Sequence, residues 1–265
     1  MTKTHPTHCI YPHPWDVVVR AYLRRYPTHP RVPVLLSSEV LSDELLLPSM
    51  PPTPYPQHAG HDIPVRGTRR IVRRCRVAIE MPTLVKKTFG VTDGIFLHTT
   101  LIDADNKEMR VESQNQSWAE KITIGDVTVF RACPPGTSAP VLPLPHNFDQ
   151  QRRNAPTLQG LAAVKVTEAC DYTEFEQQAF LELPKIPLAK TIEKHCLQIY
   201  MKNTMCARML DMLFCDDVLR EQLDLPKLPS VAPFPGEQND GGETKKLIRA
   251  ESEPAITQQA LIPSA

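Results

Sequence analysis

Hydrophobic and polar positions change period along this 265-residue chain, and each period predicts a different element. Residues 14–25 place Trp15, Val18, Val19 and Tyr22 at helical spacing, between a starting proline and Pro27. From 69 to 79, RRIVRRCRVAI alternates as a strand does. Ile71, Cys75, Val77 and Ile79 share one face; Arg70, Arg74 and Arg76 share the other. The runs 94–102, 108–116, 119–124 and 127–132 continue as strands. DADNK at 103–107 and Gly-Asp at 125–126 read as turns of an antiparallel meander. One more strand covers 171–183. The period then lengthens: Ile192, Cys196, Ile199, Cys206, Leu210 and Leu213 mark one long amphipathic helix over 186–223. Strands in succession followed by a long helix predict an α+β fold, a curved antiparallel sheet with the helix laid on one face.

Composition divides the chain. It holds 27 prolines against 10 glycines, and proline is excluded from helix interiors and central strands. Six prolines fall between Pro48 and Pro64, and a second group opens the stretch 133–168. Residues 226–265 are polar and lack apolar periodicity. These segments read as proline-rich insertions at 48–64 and 133–168 and a disordered tail at 226–265, around one domain at 8–223. No window approaches the ~18 apolar residues of a membrane span. The N-terminus has neither an apolar h-region nor an Arg-rich presequence, which argues against secretion. Seven cysteines, an odd number with no CxxC, fit reduced thiols.

Charge sharpens the picture locally. Thirty basic and thirty acidic side chains cancel overall, yet residues 66–87 carry eight basic groups against Glu80 alone. The arginines there alternate with residues that must be buried, and no RNP-type aromatic pattern accompanies them, so nucleic acid is not the expected partner. An anionic lipid surface or a phosphate-bearing ligand accounts for them equally well. HExxH, GxxxxGK[ST], GxGxxG and GxSxG are all missing, and neither an enzyme nor a cofactor is expected. His5, His8, Cys9 and His13 have metal-ligand chemistry, but their setting reads as a solvated terminus, so no metal is expected.

Two polar residues fall on apolar stripes. Arg25 lies seven residues after Val18 and three after Tyr22, and Asn203 lies between Ile199 and Cys206. Each has an ordinary reading, a helix C-terminal cation or a bonded core amide. The alternative is a face that lines a cavity holding something polar, with Arg70 and Arg74 alongside. Between two strands, residues 81–90 mix Met81, Leu84 and Phe89 with Lys86 and Lys87. That mixture suits either a short interfacial element at an anionic membrane or a surface turn packed on the sheet.

These segments together resemble the PRELI domain. YPHPWDVVVRAYLRRYPTHPRVPVLL (11–36) is similar to the domain's opening, and IVRRCRVAIEMPTLVKKTFGV (71–91), VESQNQSW (111–118) and DYTEFEQQAFLEL (171–183) follow in its order. IEKHCLQIYMKN (192–203) resembles its last helix. The PRELI domains that precede CRAL-TRIO and GOLD domains in lipid-transfer proteins look most similar. The resemblance implies about seven antiparallel strands around a long C-terminal helix, enclosing a lipid pocket. It implies binding and transfer of a phosphatidic acid-type phospholipid between membranes, the family's cargoes being phosphatidic acid or phosphatidylserine, with a small helical twin-cysteine partner in the mitochondrial intermembrane space; a cytoplasmic location is the alternative. Arg25, Arg70, Arg74 and Asn203 would contact the headgroup, while Met81, Leu84, Lys86, Lys87 and Phe89 would form the membrane-facing lid. Where the family has a histidine after Arg-Tyr-Pro, this chain has Pro33. The competing function is an interaction module with a degenerate pocket, its proline-rich runs serving SH3 or WW domains.

Overall fold

Eight strands pair side by side, all antiparallel, in a computed structural model that describes residues 3–56, 61–78, 93–120, 122–134, 172–182 and 189–225. In chain order they are β1 (Lys3–Tyr11), β2 (Leu35–Leu46), β3 (Thr53–Pro54), β4 (Thr68–Ala78), β5 (Asp93–Asp103), β6 (Glu108–Asn115), β7 (Thr123–Ala132) and β8 (Thr173–Glu182). The spatial order is β1-β8-β7-β6-β5-β4-β2-β3. Helix α1 (Trp15–Leu23) follows β1, and helix α2 (Ala189–Gln222) closes the described fold. The described residues all belong to the first of two units, Met1–Leu228 and Pro229–Ala265. Among them no helix is long and apolar enough to cross a membrane. The α+β class, the antiparallel sheet and the C-terminal helix match expectation.

Three local expectations are corrected. The histidine-bearing N-terminus is the edge strand β1, paired with β8 over nine residues from Lys3↔Leu181 to Tyr11↔Thr173. It belongs to the sheet because Cys9 and Tyr11 point inward and are buried, which makes the strand count eight. Gly125-Asp126 is not a turn: β7 runs through it unbroken. Glycine is needed there because a Cβ would sit 2.5 Å from the Phe180 ring and from the Ser113 carbonyl oxygen. The β6–β7 connection comes earlier and is tied by buried Asn115, whose amide donates to the carbonyls of Ser117 and Ile122, each at 2.8 Å, and accepts from the Ile124 N–H at 2.7 Å. Finally, the proline-rich stretch 48–64 contains the short strand β3, a position at the sheet edge where proline is tolerated.

Helix α1 is buried on nearly every side: Trp15, Val17, Val18, Val19, Ala21, Tyr22 and Leu23 are all core residues. A helix apolar all round is one that lies inside the protein. Its Trp15 indole donates to the Phe130 carbonyl of β7 at 3.2 Å. Tyr11, Tyr22, Phe130 and Phe175 stack edge-on or tilted around that contact, with centroids 5.1–6.2 Å apart. The C-terminal half of α2 docks through Leu210, Phe214, Cys215 and Val218. Burying a side chain of that size stabilises by about 1.5–3 kcal/mol. Three arginines after α1 clamp the same half: Arg24 to Glu221, Arg25 to Asp211, and Arg31 to Asp217 at 2.9 Å. Toward the N-terminal end of α2, Lys194, Gln198 and Asn203 are exposed. Cys9, Cys75, Cys133 and Cys215 are free thiols.

Candidate functional site

Strand parity decides which arginines reach the interior. In β4, Arg69, Ile71, Arg73 and Cys75 are buried, while Arg70, Arg74 and Arg76 are exposed. Arg70 and Arg74 therefore do not line the inner face with Arg25. They extend outward and meet Glu44 and Glu39 of β2 across the sheet surface, at 3.6 and 3.5 Å. The inward pair is Arg69 and Arg73, one residue earlier in each doublet. They share parity with Ile71 and Cys75, and that was the available signal.

The two inward arginines have different surroundings. Arg69 is 2% exposed and bonded bidentately to Asp43, at 2.9 and 2.6 Å, with the Asp62 carbonyl at 2.6 Å and the Tyr55 ring at 4.2 Å. It is a satisfied buried cation. Arg73 is 6% exposed, lies over the Tyr26 ring at 4.4 Å, and has no carboxylate partner among the described residues; its Nη1 makes no hydrogen bond. Burying an ion without a counter-ion costs several kcal/mol.

Arg73 begins a polar row across the sheet. Direct cross-strand partners run Arg73↔His98↔Ser113↔Asp126 over β4, β5, β6 and β7. Direct partners face the same side of a sheet. Ser113 Oγ lies 3.2 Å from His98 Nε2, and His98 Nδ1 lies 3.2 Å from the Tyr26 hydroxyl. That hydroxyl pairs with Tyr22 at 3.1 Å. On β8, the Gln177 amide donates to Asp126 at 2.6 Å. Below the row, Ile102, Met109, Phe130 and Phe175 form an apolar floor that completes the core.

Electrostatics follow from this burial. Desolvation, aided by Arg73 and Arg25, lowers the His98 pKa to about 4, so the ring is neutral at physiological pH. Desolvation raises Asp126 to about 6, opposed by the Gln177 bond and by Arg25. Arg25 itself is held between the Tyr22 ring, at 4.7 Å, and Asp211 of α2, to which its Nε donates at 3.1 Å. Tyr11 donates to the other oxygen of Asp211 at 3.1 Å. Burial pushes the Asp211 pKa up, and Arg25 and Tyr11 oppose the rise.

Of the expected headgroup residues, then, only Arg25 is brought to the inner region, and there it bonds Asp211. Asn203 is exposed on α2 rather than buried in a seam. Met81, Leu84, Lys86, Lys87 and Phe89 lie outside the described residues, as does most of 133–168. Sequence reasoning passed over Arg73, His98, Ser113, Asp126, Gln177 and Asp211. The five strand residues lie on the parity of buried neighbours, a signal that becomes legible only once register is known, and Asp211 lies on the docked half of α2. On the outer face, His8, Glu174 and Glu176 bring one ligand atom each within 4.8 Å of one another. Their types suit a divalent ion, although Arg131 already neutralises Glu176 at 2.7 Å.

Fold and interior define the class: an α+β protein whose curved, eight-stranded antiparallel sheet carries a polar row on its inner face beneath a long C-terminal helix. No family model matches the chain. The chain is 32% identical over 125 residues to Protein real-time of Drosophila melanogaster, which is 47% of this chain and 16% of that protein. To Protein real-time of Aedes aegypti it is 27% identical over 125 residues, 47% and 17% of the two chains. A CRAL-TRIO domain-containing protein of Caenorhabditis elegans is 29% identical over 116 residues, 43% of this chain and 14% of that one. The chain thus spans about a sixth of the length of the curated relatives it matches. Among solved structures, the Zhui aromatase/cyclase of Streptomyces sp. R1128 aligns at TM-score 0.44 and 8% identity over 84% of this chain and 96% of that one. A Thermus thermophilus protein aligns at 0.42 and 11%, over 80% and 97%.

Proposed function

We propose that this chain binds an anionic amphiphile between its sheet and its last helix, and carries it without bond-making chemistry. The observation that carries the reading is Arg73: a guanidinium 6% exposed, beside Tyr26 and His98, with no carboxylate partner among the described residues. A phosphate or carboxylate headgroup supplies the missing counter-ion, and guanidinium offers it two parallel charge-assisted bonds. Neutral His98 and the Tyr22–Tyr26 hydroxyl pair add groups that donate or accept as the ligand requires. Apolar chains are driven from water into the space beside the headgroup by the hydrophobic effect. The likeness to a CRAL-TRIO domain-containing protein and the ordered PRELI-like segments support a lipid as the amphiphile.

The finer reading follows the same resemblance. The ligand is proposed to be a phosphatidic acid-type phospholipid moved between membranes, with residues 81–90 meeting an anionic bilayer. The mitochondrial intermembrane space and a twin-cysteine partner are proposed on resemblance alone, with the cytoplasm as the alternative compartment. Liposome-to-liposome transfer of fluorescent phosphatidic acid tests the core of this. Wild type is expected to transfer and Arg73→Met to fall to the protein-free rate while keeping its thermal melt. Equal transfer by the two proteins overturns the role of Arg73.

A further inference from the structure

The outer face of the sheet gathers metal-ligand chemistry that the interior does not use. On edge strand β1, alternation turns Cys9 and Tyr11 into the core and leaves His8 exposed. Across the ladder, His8 is the direct partner of Glu176, and Glu174 lies two residues away along β8 on the same face. His8 Nε2 stands 2.9 Å from Glu174 Oε1, over a sequence separation of 166 residues. One ligand atom from each of the three residues falls within 4.8 Å of the others. The β1–β8 ladder runs unbroken from Lys3↔Leu181 to Tyr11↔Thr173 and fixes the three backbone positions. The donors therefore stand on paired strands rather than on a loop, where a site is held best.

Two features separate this cluster from a run of surface acids. First, its donors are of mixed type. An imidazole nitrogen beside two carboxylate oxygens suits zinc and related transition ions, whereas calcium and magnesium take oxygen ligands throughout. Donors on a tetrahedral zinc, each about 2.0–2.1 Å from the ion, lie ~3.3 Å from one another. The His8–Glu174 contact opens by roughly 0.4 Å to admit such an ion, and the exposed Glu176 side chain closes the third side by rotation. Second, one ligand is already oriented from behind. Arg131 donates through Nη1 to Glu176 Oε2 at 2.7 Å and through Nε to Glu108 Oε2 at 2.8 Å, which leaves Glu176 Oε1 to coordinate. Ligating carboxylates are held by outer partners of this kind. Arg131 offsets one of the three carboxylates Glu108, Glu174 and Glu176, and a dication offsets the other two.

We propose that His8, Glu174 and Glu176 form a zinc-type divalent-cation site that clips edge strand β1 to β8, with water completing the coordination. The site is separate from the inner polar row. On β8 its glutamates flank Gln177 with the opposite parity, and the clip does not depend on what the interior binds. A clip has most effect on an edge strand. β1 has β8 as its one neighbour in the sheet, and Pro6 within it carries no amide hydrogen. Joining residue 8 to residue 174 also closes a long stretch of chain, and closures of that length remove the most freedom from the unfolded state.

The test titrates zinc into the chelator-treated full chain by calorimetry and follows amide hydrogen exchange of β1 with and without the ion. Wild type is expected to bind zinc, to melt higher with it, and to exchange more slowly over Lys3–Tyr11. His8→Ala and Glu174→Gln are each expected to weaken that binding at least about tenfold, no less than the loss of an outer partner costs a metal site. Both variants should also lose the zinc-dependent slowing of β1. The two side chains lie at the surface, so each variant should melt with zinc-free wild type, and lost binding is then not lost fold. His61, whose neighbours are Arg24, Arg69 and Arg73, serves as the control: His61→Ala should bind as wild type does. Absence of zinc binding by wild type overturns the site. So does binding that survives undiminished in His8→Ala and Glu174→Gln, or binding that leaves β1 exchange unchanged.

Discussion

The two faces of β4 carry the same residue type in different media. Outside, Arg70 and Arg74 sit 45% and 48% exposed beside single glutamates; inside, Arg69 and Arg73 are almost wholly out of water. Outside, water and salt screen the charge, and each pair is a loose surface contact worth little. Inside, an arginine must be matched at once or left at a standing cost. Arg69 is matched by Asp43, and it ties β2, β4 and the segment around Asp62 together. Arg73 has no such match among the described residues. The comparison teaches that the number of arginines in this strand says little; their parity separates surface, scaffold and candidate ligand contact.

Breaking the buried pair should have the largest effect. Arg69→Ala leaves Asp43 without its cation and is expected to destabilise by roughly 3–5 kcal/mol, read from urea or thermal unfolding. Next comes a pH experiment on the row that starts at Arg73. His98 has a pKa depressed to about 4, so its contribution is present above pH ~6.5 and is lost as pH falls toward 4. Asp126 has a pKa raised to about 6, so its contribution is present below pH ~4 and is lost as pH rises through 6. The slopes oppose each other in one window, and each amounts to at most about 3 kcal/mol. From these two groups wild type should show little net pH dependence between 4 and 6. Asp126→Asn should lose stability on acidification there, and His98→Gln should gain it; parallel slopes in all three would contradict the assigned burial.

Smaller effects follow. Arg73→Met removes an unpaired buried charge and should leave stability unchanged or raise it by about 1–3 kcal/mol, the opposite sign to Arg69→Ala. A loss as large as that of Arg69→Ala would mean that Arg73 is scaffold too. On the outer face, Arg70→Ala or Arg74→Ala should change stability by no more than about 0.5 kcal/mol, and any loss should shrink as salt is added.

Sequence periodicity located much of this fold. Thr68–Ala78, Asp93–Asp103, Glu108–Asn115 and Thr173–Glu182 lie within one or two residues of the alternating runs, because an apolar row every second residue has no other way to be buried. β1 is hidden from periodicity because Pro6 and two histidines, His5 and His8, mask the alternation that ends in Cys9 and Tyr11. Gly125-Asp126 carries turn chemistry, yet there the glycine answers the Phe180 ring across the strand. The interior polar residues were harder still. The family-like alignment placed headgroup contacts at Arg70 and Arg74, and strand parity moves the inward positions to Arg69 and Arg73.

Period and composition were therefore enough to state the α+β class, the closing helix and the basic strand, since those depend on patterns within one segment. They could not decide which arginine finds an acid, that Arg25 meets Asp211 from 186 residues away, or that Arg73, His98, Ser113 and Asp126 form one row. The row depends on register between strands far apart in the chain, and the Arg25–Asp211 pair on how α2 docks against α1. A one-residue slip would send each of these side chains to the opposite face.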